Sequence, residues 1–68
     1  MKEEVENNVC KIRTVLGMTQ EELAIKVGVS RQTIIAIEKG NYVPSVLLSL
    51  KISKFFRKSL EEVFYLSS

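Results

Sequence analysis

Two short signals fix where helices must begin. Thr19-Gln20-Glu21-Glu22 and Ser59-Leu60-Glu61-Glu62 each set a hydroxyl three residues before a glutamate. That is the capping-box spacing: the hydroxyl accepts a backbone N–H, and the glutamate accepts the cap residue's own N–H. Ser30 is placed to cap another helix, and Pro44-Ser45 opens one more, because proline's missing donor costs nothing in a first turn. Gly17, Gly28 and Gly40 fall where helices are due to end. Apolar residues recur at three and four, and no period-2 run is long enough for a sheet. The pattern predicts an all-α, compact five-helix domain over residues 1–68, with helices over 8–16, 20–27, 31–39, 45–56 and 60–66.

Size and composition limit the chemistry. A chain of 68 residues has room for one core and buries about 60% of its unfolded surface, so a two-domain enzyme is excluded. With 46% apolar and 26% charged residues it reads as globular, and no apolar run approaches the ~20 residues of a membrane span. The opening Met1-Lys2-Glu3-Glu4 lacks a signal-peptide pattern, so a cytoplasmic, reducing location is expected. Cys10 stands alone and reads as a small hydrophobe in the first helix rather than a redox sensor. The absence of histidine removes the usual general base and the commonest metal ligand, so neither catalysis nor metal binding is expected; no cofactor is expected, and no small-molecule ligand is evident. A core this small gains from association, which favours a dimer.

Charge is uneven. Residues 31–58 carry Arg31, Lys39, Lys51, Lys54, Arg57 and Lys58 against the single acid Glu38. Such a block suits a phosphate backbone, although an ordinary solvated face has the same composition. Gln20 to Ile37 reads as helix, glycine turn, helix, with Leu23, Ala24, Val27, Val29, Ile34 and Ile37 turned inward. At about 100° per residue, Ile34 and Ile37 share one side of the second helix, and Arg31, Ile35, Lys39, Gln32 and Ala36 share the other. That outward side mixes the groups a DNA major groove can use: Arg for guanine, Gln for adenine, an aliphatic side chain for the thymine methyl.

These segments, Gln20-Glu21-Glu22-Leu23-Ala24, Gly28-Val29-Ser30-Arg31-Gln32-Thr33-Ile34 and Ile37-Glu38-Lys39-Gly40, resemble the phage repressor/Cro-type helix-turn-helix family, also called the xenobiotic-response-element family. Pro44-Ser45 and Ser59-Leu60-Glu61-Glu62-Val63-Phe64 extend the resemblance to roughly residues 8–64. It implies a sequence-specific regulator of transcription, often a repressor, binding a two-fold operator in double-stranded DNA as a homodimer. By the same resemblance Ser30, Arg31, Gln32 and Ile35 face base edges or the flanking backbone. Gln20, Lys39, Asn41 and Tyr42 touch phosphates, and Arg13 and Glu38 form an internal salt bridge.

The fourth helix has apolar surface to spare. On the helical wheel Val46, Ser49, Leu50, Ser53 and Phe56 form one face, while Leu48, Ile52 and Phe55 form a second. Either a neighbouring helix covers the second stripe, or it joins a subunit interface with Phe55, Tyr65 and Leu66, aromatics being enriched at such contacts. An alternative function is a DNA-binding antitoxin or a protein-interaction adaptor. The shortness of the segments outside the helices, Met1 to Asn7 and Ser67-Ser68, disfavours that reading.

Overall fold

A computed structural model of the chain describes residues 3–67. Strand β1 (Glu4–Asn7) leads into helices α1 (Val9–Val15), α2 (Gln20–Val27), α3 (Arg31–Glu38), α4 (Val46–Phe56) and α5 (Leu60–Val63), and strand β2 (Phe64–Ser67) follows. Both capping boxes form: Thr19 Oγ1 accepts the Glu22 N–H at 3.0 Å, and Glu62 Oε1 accepts the Ser59 N–H at 2.7 Å. Ser30 and Ser45 cap α3 and α4 through the N–H groups of Thr33 and Leu48.

Helices α1 to α4 all stop in the same way. A residue in the left-handed region donates back three residues, and the next N–H reaches back five, as in Met18 to Arg13 and Asn41 to Ala36, both at 3.0 Å. Three of these stops use glycine. The fourth uses Arg57, held at φ 58°, where an L side chain crowds its own carbonyl.

The expectation of an all-α chain needs correction. β1 and β2 pair antiparallel with Glu4 opposite Ser67, Val5 opposite Leu66, Glu6 opposite Tyr65 and Asn7 opposite Phe64. The fifth helix therefore ends at Val63, not 66, because Phe64 turns extended at φ −124° and ψ 133°. What ends it is a competing set of donors. The Asn8 N–H bonds the Val63 carbonyl at 2.8 Å and its side-chain amide bonds the Glu62 carbonyl at 3.1 Å, which ties the end of α5 to the start of α1. Asn7 adds a second tie, donating to the Ile37 carbonyl at 3.0 Å while its Oδ1 accepts the Val9 N–H. Met1, Lys2 and Ser68, assigned above to the ends outside the helices, lie outside the described residues.

The core joins Leu23, Ala24 and Val27 of α2 and Ile34 and Ile37 of α3 to Val9, Leu48, Ile52, Phe56, Val63 and Phe64. The expectation of two separate apolar faces on α4 also needs correction. Leu48, Ser49, Ile52, Ser53 and Phe56 form one continuous buried arc, and Val46, Leu50 and Phe55 lie outside it. The two serines can be buried because each hydroxyl donates at 2.8 Å to the carbonyl four residues back.

Candidate nucleic-acid interface

The turn between α2 and α3 depends on Gly28 at φ 78°, a conformation that penalises any Cβ even though the space beside it is open. Val29 then packs on the core and Ser30 starts α3. The Ser30 hydroxyl both caps Thr33 N–H at 3.2 Å and bonds the Thr33 hydroxyl at 3.1 Å, so it is largely consumed by the helix it opens.

Packing sets which side of α3 faces outward. Ile34 and Ile37 are fully buried, which turns Arg31 and Gln32 out into solvent at the first turn with no hydrogen-bond partner among the described residues. Ile35 and Ala36 are half-buried beside them. Lys39, Asn41 and Tyr42 are exposed on the segment after α3, where the Asn41 N–H is held by the Ala36 carbonyl.

Gln20 sits at the head of α2 and lines a polar groove with Arg13, Thr19, Glu21 and Arg31. One of these lining residues, Arg13, is paired with Glu38. Arg13 Nε donates to Glu38 Oε2 at 2.7 Å and Nη2 to Oε1 at 3.2 Å, with the side chains only 14% and 6% exposed. Arg13 Nη1 also donates to the Met18 carbonyl at 2.7 Å, so the pair ties the end of α1 to the end of α3. Burial pushes the Glu38 carboxyl up. The hydrogen bonds from Arg13 and Gln20 outweigh that, with the Arg13 charge, and hold it below the usual carboxylate range. The bond from Gln20 Nε2 to Glu38 Oε1, at 3.0 Å, has no counterpart in the sequence reading. Residues eighteen apart on two helices leave no local signal, and the amide type of Gln20 was its only trace. Cys10 is exposed, with Arg13 Nη2 at 3.5 Å from its sulfur.

Phe55, Tyr65 and Leu66 do not form one patch. Tyr65 and Leu66 stand on β2, not on a helix, and border an apolar groove with Val5, Val43, Val46 and Leu60. Val46 is 73% exposed and Leu66 61%. Phe55 lies over a different groove, beside Ile25 of α2 and Lys51 and Lys54 of α4. Sequence reading missed Val43 and Val5 in the first groove because neither belongs to a helix. Among the described residues no group of acidic, Cys or His side chains could hold a metal ion, and no helix is long and apolar enough to cross a membrane.

Residues 11–63 match the helix-turn-helix family. Over 62 residues the chain is 53% identical to the HTH-type transcriptional regulator YgzD of Bacillus subtilis (strain 168), spanning 91% of this chain and 94% of that protein. It is also 53% identical over 60 residues to an HTH-type transcriptional regulator of Methanocaldococcus jannaschii, spanning 88% and 91%. Among solved structures it is similar to the restriction-modification controller protein C.AhdI from Aeromonas hydrophila, with a TM-score of 0.75, 27% identity and coverage of 81% and 83%. The transcriptional regulator VanUg shares the fold at a TM-score of 0.78 over 98% of this chain and 89% of that one, with 24% identity.

Proposed function

Because this chain belongs to the helix-turn-helix family of transcriptional regulators, we propose that it is a cytoplasmic, sequence-specific repressor that binds a two-fold operator in double-stranded DNA as a homodimer. The observation that carries this reading is the pairing of two surfaces: the unpartnered Arg31 and Gln32 at the first turn of α3, and the polar groove at the head of α2. An α-helix fits the major groove, where a guanidinium and an amide can each make bidentate contacts with base edges. Arg31 and Gln32 read bases, Ile35 offers its methyls to thymine, and Ser30 sets their approach by capping the helix. Gln20, Lys39, Asn41 and Tyr42 contact phosphates on either side, fixing register without carrying sequence information.

The dimer contact in this reading is the apolar groove bordered by Tyr65 and Leu66. A contiguous exposed apolar surface beside polar residues marks a protein interface. A second copy across a two-fold axis puts the two α3 helices about 34 Å apart, one turn of B-DNA. Repression then follows from occupancy of the groove.

Selection of bound sequences from random duplex DNA at fixed salt tests the whole reading. A palindromic consensus with half-sites one helical turn apart is expected. Recovery of no consensus would overturn it and favour a protein-binding adaptor.

A further inference from the structure

Glu38 looks at first like a purely structural partner for Arg13, yet one of its oxygens serves two donors from two different helices. Oε1 accepts Arg13 Nη2 at 3.2 Å and Gln20 Nε2 at 3.0 Å, while Oε2 accepts Arg13 Nε at 2.7 Å. An ionised carboxylate can only accept, so it dictates which end of the Gln20 amide turns inward: the nitrogen must face Glu38. One Nε2 hydrogen is thereby committed and the other is left to the groove that Gln20 lines with Arg13, Thr19, Glu21 and Arg31. Without that acceptor, Gln20 is a long, freely rotating side chain at the first position of α2.

We infer that Glu38 is a positioning residue for DNA binding: through Gln20 Nε2 it pre-orients the amide that meets a backbone phosphate at the head of α2. This inference rests on the DNA-binding reading above and deepens it. Glu38 touches no DNA in this account; it acts through Gln20, and Arg13 holds it in place. The inference also reverses what charge alone says. Removing an anion near a phosphate backbone, and freeing Arg13, should tighten binding by simple electrostatics. A positioning role makes the same change weaken it.

The test is a double-mutant cycle on duplex affinity, measured with the selected operator and with a random-sequence duplex, well below the melting temperature of each variant. Glu38→Met keeps the chain length and removes the acceptor. It is expected to weaken both duplexes by roughly three- to tenfold, the value of one hydrogen bond, matching Gln20→Ala, with no further loss in the double variant. Glu38→Asp keeps the charge and withdraws the oxygen from Gln20; it should shift affinity in the same direction, and it serves if Glu38→Met does not fold. Losses that are equal in the native and Gln20→Ala backgrounds would show a merely structural Glu38 and overturn the inference, as would tighter binding by Glu38→Met. Failure of the parent protein to bind either duplex would overturn both the inference and the reading beneath it.

Discussion

The two halves of this small chain use the same apolar residue types to opposite ends. In residues 19–41, Leu23, Ala24, Val27, Ile34 and Ile37 are all buried, and apart from Ile25 what remains outside is mostly polar, with Arg31, Gln32, Lys39 and Asn41 among it. In the half built from β1, α4 with the segment leading into it, α5 and β2, the core is completed by Leu48, Ile52, Phe56, Val63 and Phe64, yet Val43, Val46, Leu47, Leu50 and Leu66 are left in solvent. Apart from Ile25, the first half buries its apolar residues within one chain and presents hydrogen-bonding side chains to the outside. The second leaves a run of apolar side chains exposed, the kind of surface that marks a contact site. An exposed residue in the first half is thus a candidate for reading a partner's hydrogen bonds, and in the second for burial.

The largest expected effect breaks the first half. Arg13→Ala strands the nearly buried Glu38 carboxylate, a change in the class that costs about 3 kcal/mol, and should lower the melting temperature followed by circular dichroism. An unchanged melting point would give Arg13 to solvent or DNA instead. The same pair sets an acid limit. Glu38 is held below its ordinary value of 4.5 in the fold, so its contribution is complete above that value and is lost as pH falls through the lower, folded value. In Arg13→Ala that part of the acid dependence should shrink.

The second half is broken by charge. Leu66→Glu should weaken self-association roughly a hundredfold, or about 2.7 kcal/mol, while the monomer stays folded, as measured by sedimentation. Phe55→Glu, over the other groove, should stay within about twofold of the parent. Equal losses from both would place the contact elsewhere.

Sharpening the first half needs DNA. Arg31→Ala and Gln32→Ala should each narrow the operator-to-random affinity gap by about 1–3 kcal/mol, whereas Lys39→Ala should weaken both duplexes alike and lower the salt slope by about one. An unchanged ratio for Arg31→Ala and Gln32→Ala would refute base reading by α3. The smaller of the two stability effects is at Arg57. Arg57→Gly relieves the left-handed strain at the end of α4 and should stabilise by about 0.5–1 kcal/mol in urea titration, a sign opposite to that of most substitutions.

What could be read in advance follows the range of each interaction. The caps at Thr19, Ser30, Ser45 and Ser59, the turn at Gly28 and the inward set Leu23 to Ile37 all depend on residues within a few positions of one another, and helical spacing displays them. The β1–β2 ribbon pairs four residues near each end of the chain, and strands that short show no periodicity of their own. The arc of α4 was misjudged for a related reason. Ser49 and Ser53 count as polar on a wheel, yet their hydroxyls are satisfied by the helix's own carbonyls, so they sit in the core beside Leu48 and Ile52. The polar residue types on the outward side of α3 could be read from helical spacing, but the bond that joins Gln20 to Glu38 could not, since it depends on how two helices cross.

The ribbon also decides how the molecule responds to being pulled. Glu4 lies opposite Ser67 at the open end of the ribbon, so a load applied between those two residues peels the strands apart one rung at a time instead of shearing them together. The first rungs to part carry only Glu4, Val5, Leu66 and Ser67, while the deeper ties, Asn7 to Ile37 and Asn8 to Val63, hold α1 and α5 against the rest. A tether at both ends would therefore unzip the face bordered by Tyr65 and Leu66 while leaving α2 and α3 packed, separating mechanically the two surfaces that the fold keeps apart.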